Sequence, residues 1–208
     1  RSRLIIADPR GDLPHADAEG QRILDLALDE GEGIEPNLLA SPTTRRRVLE
    51  SVRSEHILHR AGHGEAGQGL LKDGTLSAGD ILRMRGSGRF PTLVFANACV
   101  SGALHRWDAG AQEMARGFLL GGSRHFLGAI CELPDFSSLR MAERFYQGIF
   151  GGDAIGQALL DGRRALSAGR DIPPLAWAGY VLYGDPLTTY APIPSALDPE
   201  SSPGPSAD

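Results

Sequence analysis

Two stretches carry the side chains best suited to covalent chemistry: His59-Arg60-Ala61-Gly62-His63-Gly64 and Asn97-Ala98-Cys99-Val100-Ser101-Gly102. An imidazole beside a thiol is the minimum equipment of a cysteine nucleophile. The imidazole stabilises the thiolate and carries the proton that the leaving group needs. Each stretch follows an apolar run that reads as a buried strand, Ile57 to Ala61 before the histidine and Thr92 to Ala96 before the cysteine. If those strands are neighbours, their ends stand roughly 5 Å apart and the two side chains can meet.

The rest of the chain has to position those strands. Leu4 to Ala7 reads as a first strand, closed by the turn Asp8-Pro9-Arg10-Gly11-Asp12. Ile23, Leu24, Ala27 and Leu28 recur at helical spacing within 16–30, and Ile34 to Leu39 reads as a second strand. Ser41-Pro42-Thr43 starts a helix with the stripe Val48, Leu49, Val52. Asp73-Gly74 between apolar flanks predicts a hairpin over 69–76. Ser77 with Asp80 reads as a capping box opening a helix through Met84. A helix is expected over 114–120, a strand over 125–130, helices over 138–150 and 154–168, and a last strand over 178–182. Strands alternating with helices predict an α/β three-layer sandwich, a mostly parallel sheet with helices on both faces. Ligand sites of such sheets lie at the carboxyl ends of the strands. His63 and Cys99 both fall there.

At 208 residues the chain is expected to be one domain over 1–190, with a disordered Pro- and Ser-rich tail over 191–208. A net charge of −5 with scattered arginines argues against a nucleic-acid or membrane-surface partner. No stretch approaches the ~20 apolar residues of a membrane span. Two cysteines in apolar runs do not form a disulfide framework, so a reducing, cytoplasmic setting is expected. The chain begins at Arg1 without an initiator Met and leads straight into a strand. It is expected to be a fragment or a processed piece of something longer.

Rival chemistries meet physical objections. Gly62 to Gly67 has the glycine spacing of a dinucleotide fingerprint, but that motif needs a helix N-terminus and here precedes a hairpin. A metal site from His56, His59, His63 and Cys99 is hindered because residues three apart on a strand point to opposite faces. Ser101 is not in a Gly-x-Ser-x-Gly elbow. Cys131 reads as a small apolar residue at a strand end, and His15, His105 and His125 as surface or loop histidines.

Taken together, the stretches resemble the CHAT family of caspase-like peptidases. The matching pieces are His-Arg-Ala-Gly-His-Gly (59–64), Leu-Leu-Lys-Asp-Gly-Thr-Leu-Ser-Ala-Gly-Asp-Ile (70–81) and Leu-Val-Phe-Ala-Asn-Ala-Cys-Val-Ser-Gly (93–102). Met-Ala-Arg-Gly-Phe-Leu-Leu-Gly-Gly-Ser-Arg (114–124), Arg-Phe-Tyr (144–146) and Trp-Ala-Gly-Tyr-Val-Leu-Tyr-Gly-Asp-Pro (177–186) extend the likeness from about Leu4 to Pro186. The resemblance implies a caspase-like fold with a six-stranded sheet, and hydrolysis of peptide bonds without metal or cofactor. It makes Cys99 the nucleophile, His63 the general acid/base, and the backbone amides of Gly64 and Cys99 the oxyanion hole. Protein substrates are implied, and with them an activating sensor protein or a missing fused domain, as in bacterial defence. A maturation cut in the short loop Ser101 to Gly110 is not expected. Asp8, Asp135 and Glu132 fall where such peptidases build the specificity pocket, and carboxylates there would favour a basic residue before the cut. Asp8 and Asp135 read equally well as caps of the local turn and helix. A catalytically silent interaction module of the same fold is the alternative from another class.

Overall fold

A computed structural model describes residues 2–29, 36–65, 68–86, 90–100, 109–131, 133–169 and 172–190, with residues 54, 65, 98–100, 109–111 and 135 described at the backbone only. In chain order the strands are β1 (Arg3–Ala7), β2 (Pro36–Leu39), β3 (Ile57–Glu65), β4 (Gln68–Leu71), β5 (Gly74–Leu76), β6 (Leu93–Val100), β7 (His125–Ala129) and β8 (Tyr180–Tyr183). The helices are α1 (Pro14–Leu28), α2 (Arg45–Ser51), α3 (Ala78–Arg83), α4 (Ala109–Gly121), α5 (Asp135–Phe150), α6 (Ile155–Ser167) and α7 (Leu175–Ala178). Among the described residues the sheet runs β2-β1-β3-β6-β7-β8, with the β4–β5 hairpin attached to β3. Pairing is parallel from β2 through β7 and antiparallel only for β8 on that path. The two strands expected to be neighbours, β3 and β6, are paired.

Parallel strands covered on both faces are continuously apolar, and β1 is buried at every residue. Alternation splits its side chains between two cores. Ile5 joins Ile57, Phe95, Leu127, Phe145 and Ile149 against α1, α5 and α6. Leu4 and Ile6 join Leu58, Val94, Phe118 and Phe126 against α2, α3 and α4. Full burial of each large side chain contributes about 1.5–3 kcal/mol.

Local chemistry explains the boundaries. Pro14 occupies the first turn of α1, where its missing N–H costs nothing. Thr44, one residue beyond the expected start, caps α2 by accepting from the Arg47 amide. The Ser77–Asp80 capping box opens α3 as expected. Asp80 loses solvation by burial, yet the Ser77 amide and hydroxyl, Arg83 and Arg45 outweigh that loss and hold its carboxyl at about 2.

Four expectations change. Strands β3 and β6 do not stop at Ala61 and Ala96 but run to Glu65 and Val100, because the hairpin and the parallel ladder continue to pair them. The last strand begins two residues later than expected, after Pro173-Pro174 start the short α7 and Gly179 ends it. Helix α5 opens at Asp135 rather than 138, and α4 spans Ala109–Gly121. His125 is not a surface histidine: it is buried at the foot of β7, its Nε2 3.1 Å from the Asp185 carbonyl and its Nδ1 2.6 Å from the Tyr190 hydroxyl. The carbonyl can only accept, so Nε2 donates to it and Nδ1 accepts from Tyr190. Desolvation lowers the His125 pKa and keeps this ring neutral. The expected tail, 191–208, lies outside the described residues, as does most of the loop after Cys99.

Candidate functional site

The β3–β6 register pairs Ala61 with Asn97, His63 with Cys99 and Gly64 with Val100. His63 and Cys99 therefore lie level, side by side, at the carboxyl rim of the sheet. Both are inside their strands rather than in turns after them. Period-two alternation sets His63 on the α1/α5 face with His59.

The neighbouring strand β1 supplies the other wall of the rim. The Asp8 amide bonds to the Ala61 carbonyl (3.1 Å), and Asp8 adopts a left-handed backbone, φ 38°. Its Oδ1 accepts from the amides of Gly11 (3.0 Å) and Asp12 (3.1 Å), which folds the turn back over β3. The capping reading of Asp8 thus matches its bonds, and the side chain is buried. That turn carries Asp12 to His63, with Oδ1 3.3 Å from Nε2, and Arg10 Nε stands 3.3 Å from the other Asp12 oxygen. The sequence reading missed Asp12. A carboxylate directly after the strand-ending Pro9-Arg10-Gly11 turn was its signal, and only the β1–β3 pairing makes it adjacent to the histidine.

Arg60 was also missed as a working residue. It is buried on the opposite face from His63, and its Nη2 donates to the His63 carbonyl (2.6 Å) and, at 3.5 Å, to that of Leu70 in β4. One guanidinium thereby ties the histidine backbone to the hairpin. Burial brings its pKa down to about 10, still charged at neutral pH. The approach is tight: a Cβ on Gly69 would lie 2.8 Å from the guanidinium, and one on Gly62 2.9 Å from Pro9. Arginine in the middle of a buried strand was the available signal.

Beneath the rim lies a buried polar group. Asn97 Nδ2 donates to Glu19 Oε1 of α1 (2.6 Å) and to the Ser138 carbonyl of α5 (3.0 Å), and the Tyr180 hydroxyl of β8 donates to Asn97 Oδ1 (2.6 Å). His59 Nε2 stands 3.0 Å from the same Glu19 oxygen, though without the alignment of a hydrogen bond. The His59 ring rests on Phe95 (5.3 Å) and Tyr146 (5.4 Å). A small cavity of about 20 Å³, lined by Leu13, His15, Glu19, Gly62, Asn97 and Ser138, opens beside this group.

Other expected residues fall as follows. Gly64 is buried in β3 between Gly69 and Val100. Asp135 is the first residue of α5, with Pro134 in the cap position, and Glu132 lies outside the described residues. Cys131 is half-buried at the end of β7, and desolvation pushes its thiol up. Its packing role stands. The fingerprint glycines at 62 and 64 lie within β3, whose partner after the turn is antiparallel β4, so no helix N-terminus is aimed at a phosphate.

The family model of the CHAT domain matches residues 1–185. No curated protein matches. Among solved structures, the Saccharomyces cerevisiae separase–securin complex superposes with a TM-score of 0.61 at 16% identity, over 88% of this chain and 12% of that one. The Arg-specific cysteine proteinase gingipain R gives 0.64 at 15% identity, over 89% of this chain and 46% of that one. A complex of pro- and mature domains from Porphyromonas gingivalis gives 0.63 at 15%, over 89% and 47%. This chain thus spans about an eighth to about half the length of those proteins. The likeness establishes a caspase-like fold.

Proposed function

The chain belongs to the CHAT domain family, and from that premise we propose that it is a cysteine endopeptidase with Cys99 as nucleophile and His63 as general acid/base. The observation that carries this reading is the register pairing of His63 with Cys99 on adjacent parallel strands. Asp12 engages Nε2 of His63, so Nδ1 is the nitrogen left to face the thiol. The Cys99 thiolate adds to the scissile carbonyl carbon, the carbonyl π electrons move to oxygen, and collapse of the adduct expels the amine. The His63 imidazolium protonates that amine and then, as base, activates the water that hydrolyses the thioester. Backbone amides of Gly64 and Cys99 are the proposed oxyanion donors, each worth on the order of 10²–10³ in rate.

The finer reading is cleavage after a basic residue, by an effector kept silent until a sensor protein or further domain engages it, in signalling or bacterial defence. Support for the basic preference comes from the sequence alone: acidic residues stand in the turn after β1, Asp8 and Asp12, and in the stretch after β7, Glu132 and Asp135. Two cysteines without a disulfide framework fit a cytoplasmic setting, and no helix among the described residues is long and apolar enough to cross a membrane. Peptide-library profiling tests the specificity: cuts after Asp or apolar residues remove the basic preference. Strong cleavage by the isolated chain removes the silent state. Labelling by a peptidyl electrophile tests the nucleophile, with Cys99 the expected site. Equal labelling of Cys131, or normal reaction in His63→Ala, would leave a silent interaction module instead.

A further inference from the structure

Asn97 precedes Cys99 by two residues on the same strand, about 7 Å along β6. Its side chain is 7% exposed, and both faces of its amide are used. Nδ2 has the Glu19 carboxylate and the Ser138 carbonyl as acceptors, and Oδ1 has the Tyr180 hydroxyl as donor. The amide cannot flip without setting its NH₂ against a hydroxyl hydrogen and its oxygen against two acceptors. Three elements, α1, α5 and β8, therefore hold one point of β6. The Glu19 oxygen at the centre also lies 3.0 Å from His59 of β3, four residues before His63. One buried carboxylate thus touches both strands that present the dyad.

We propose that Asn97 and Glu19 are positioning residues for the proposed dyad: their bond, closed by Tyr180, sets the carboxyl end of β6 against β3 and so sets Cys99 relative to His63. The inference rests on the peptidase reading above. Apolar packing would fill this space as well, but it resists sliding along the strand weakly. Saturated hydrogen bonds fix position, and a broken one leaves a buried polar atom unpaired. A misplacement of about 1 Å between reacting groups can cost roughly 10²-fold in rate.

The deciding measurement is the pH profile of iodoacetamide alkylation at Cys99 on the whole chain, resolved by peptide mass spectrometry, with Cys131 as the internal control. Asn97→Ala and Glu19→Ala are expected to slow neutral-pH alkylation of Cys99 by about tenfold, with roughly 30-fold the ceiling set by the thiolate left at pH 7, and to move its profile toward that of a free thiol near pH 8.5. The Cys131 rate should stay unchanged. Glu19→Gln keeps an acceptor for Asn97 and should restore the rate to within a few-fold. With a peptide substrate, kcat should fall while KM holds. Folded Ala variants with the parent profile would overturn the inference, and so would a Gln variant as damaged as Ala. Should the Ala variants fail to fold, Tyr180→Phe removes only the hydroxyl, and a profile identical to the parent would be equally fatal. His63→Ala separates the two readings. A profile unchanged by that substitution removes the dyad itself, whereas a His63-dependent profile indifferent to Asn97 removes only the positioning.

Discussion

The two faces of the sheet are built on different physics. Against α2, α3 and α4 the contacts are mostly apolar side chains such as Leu4, Ile6, Leu58, Val94, Phe118 and Phe126, with Arg60 the buried charge at the rim. Against α1, α5 and α6 the same strands also bury His59 and Asn97 beside Glu19 of α1, and Asn97 is hydrogen-bonded to Glu19, Ser138 and Tyr180. Packing on the first face is non-directional and tolerates small shifts. Bonds on the second face are directional and do not. The face carrying the proposed chemistry is the one with the directional contacts. Stability thus rests mainly on the first side of the sheet and alignment mainly on the second, with the Arg60 guanidinium holding the His63 carbonyl from the first.

That division can be broken experimentally. The largest expected effect is on the site: Cys99→Ala abolishes turnover and His63→Ala lowers it by on the order of 10⁴-fold, with melting temperature nearly unmoved. Loss of the fold in both variants would mean the rim is structural. Next is Phe126→Ala on the apolar face, where Phe118 and Tyr183 lose a ring partner. It should cost about 3–5 kcal/mol and lower the melting temperature by roughly 10 °C, with the rate per active site preserved. A variant that melts normally but turns over slowly would erase the distinction between the faces.

A smaller effect belongs to Asp80, which is 5% exposed at the start of α3. Its folded pKa of about 2 lies below the ordinary 3.8, so its stabilisation is complete above pH 4 and disappears as pH falls toward 2. The difference is about 2 kcal/mol. Asp80→Asn should flatten that part of the stability–pH curve, and an unchanged slope would refute the assignment. The smallest effect expected is from Asp12→Asn, which should lower kcat about tenfold at constant KM. A change in KM instead would make Asp12 a substrate contact.

The sequence already displayed the alternation of strands and helices, the hairpin at Asp73-Gly74 and the capping box at Ser77, since these are local properties of neighbouring residues. It also carried the His63 and Cys99 candidates. What it could not display was contact across the chain. Asp12 reaches His63 only because β1 lies beside β3, and Glu19 meets Asn97 only because α1 packs across β1 and β3, next to β6. Strand ends were underestimated for the same reason: a glycine-containing stretch looks like a turn until its partner strand is known. His125 looked exposed because Tyr190, sixty-five residues later, is what covers it.

That cover has a practical corollary. The stretch matching the family ends at residue 185, whereas Tyr190, whose hydroxyl covers His125 at the base of the sheet, is five residues further on. A recombinant version trimmed at the family boundary would unseal the imidazole of His125, let water reach it and return its pKa toward the ordinary histidine value, so the stability that the longer chain gives up in mild acid, where a ring buried neutral must charge, would no longer depend on this residue.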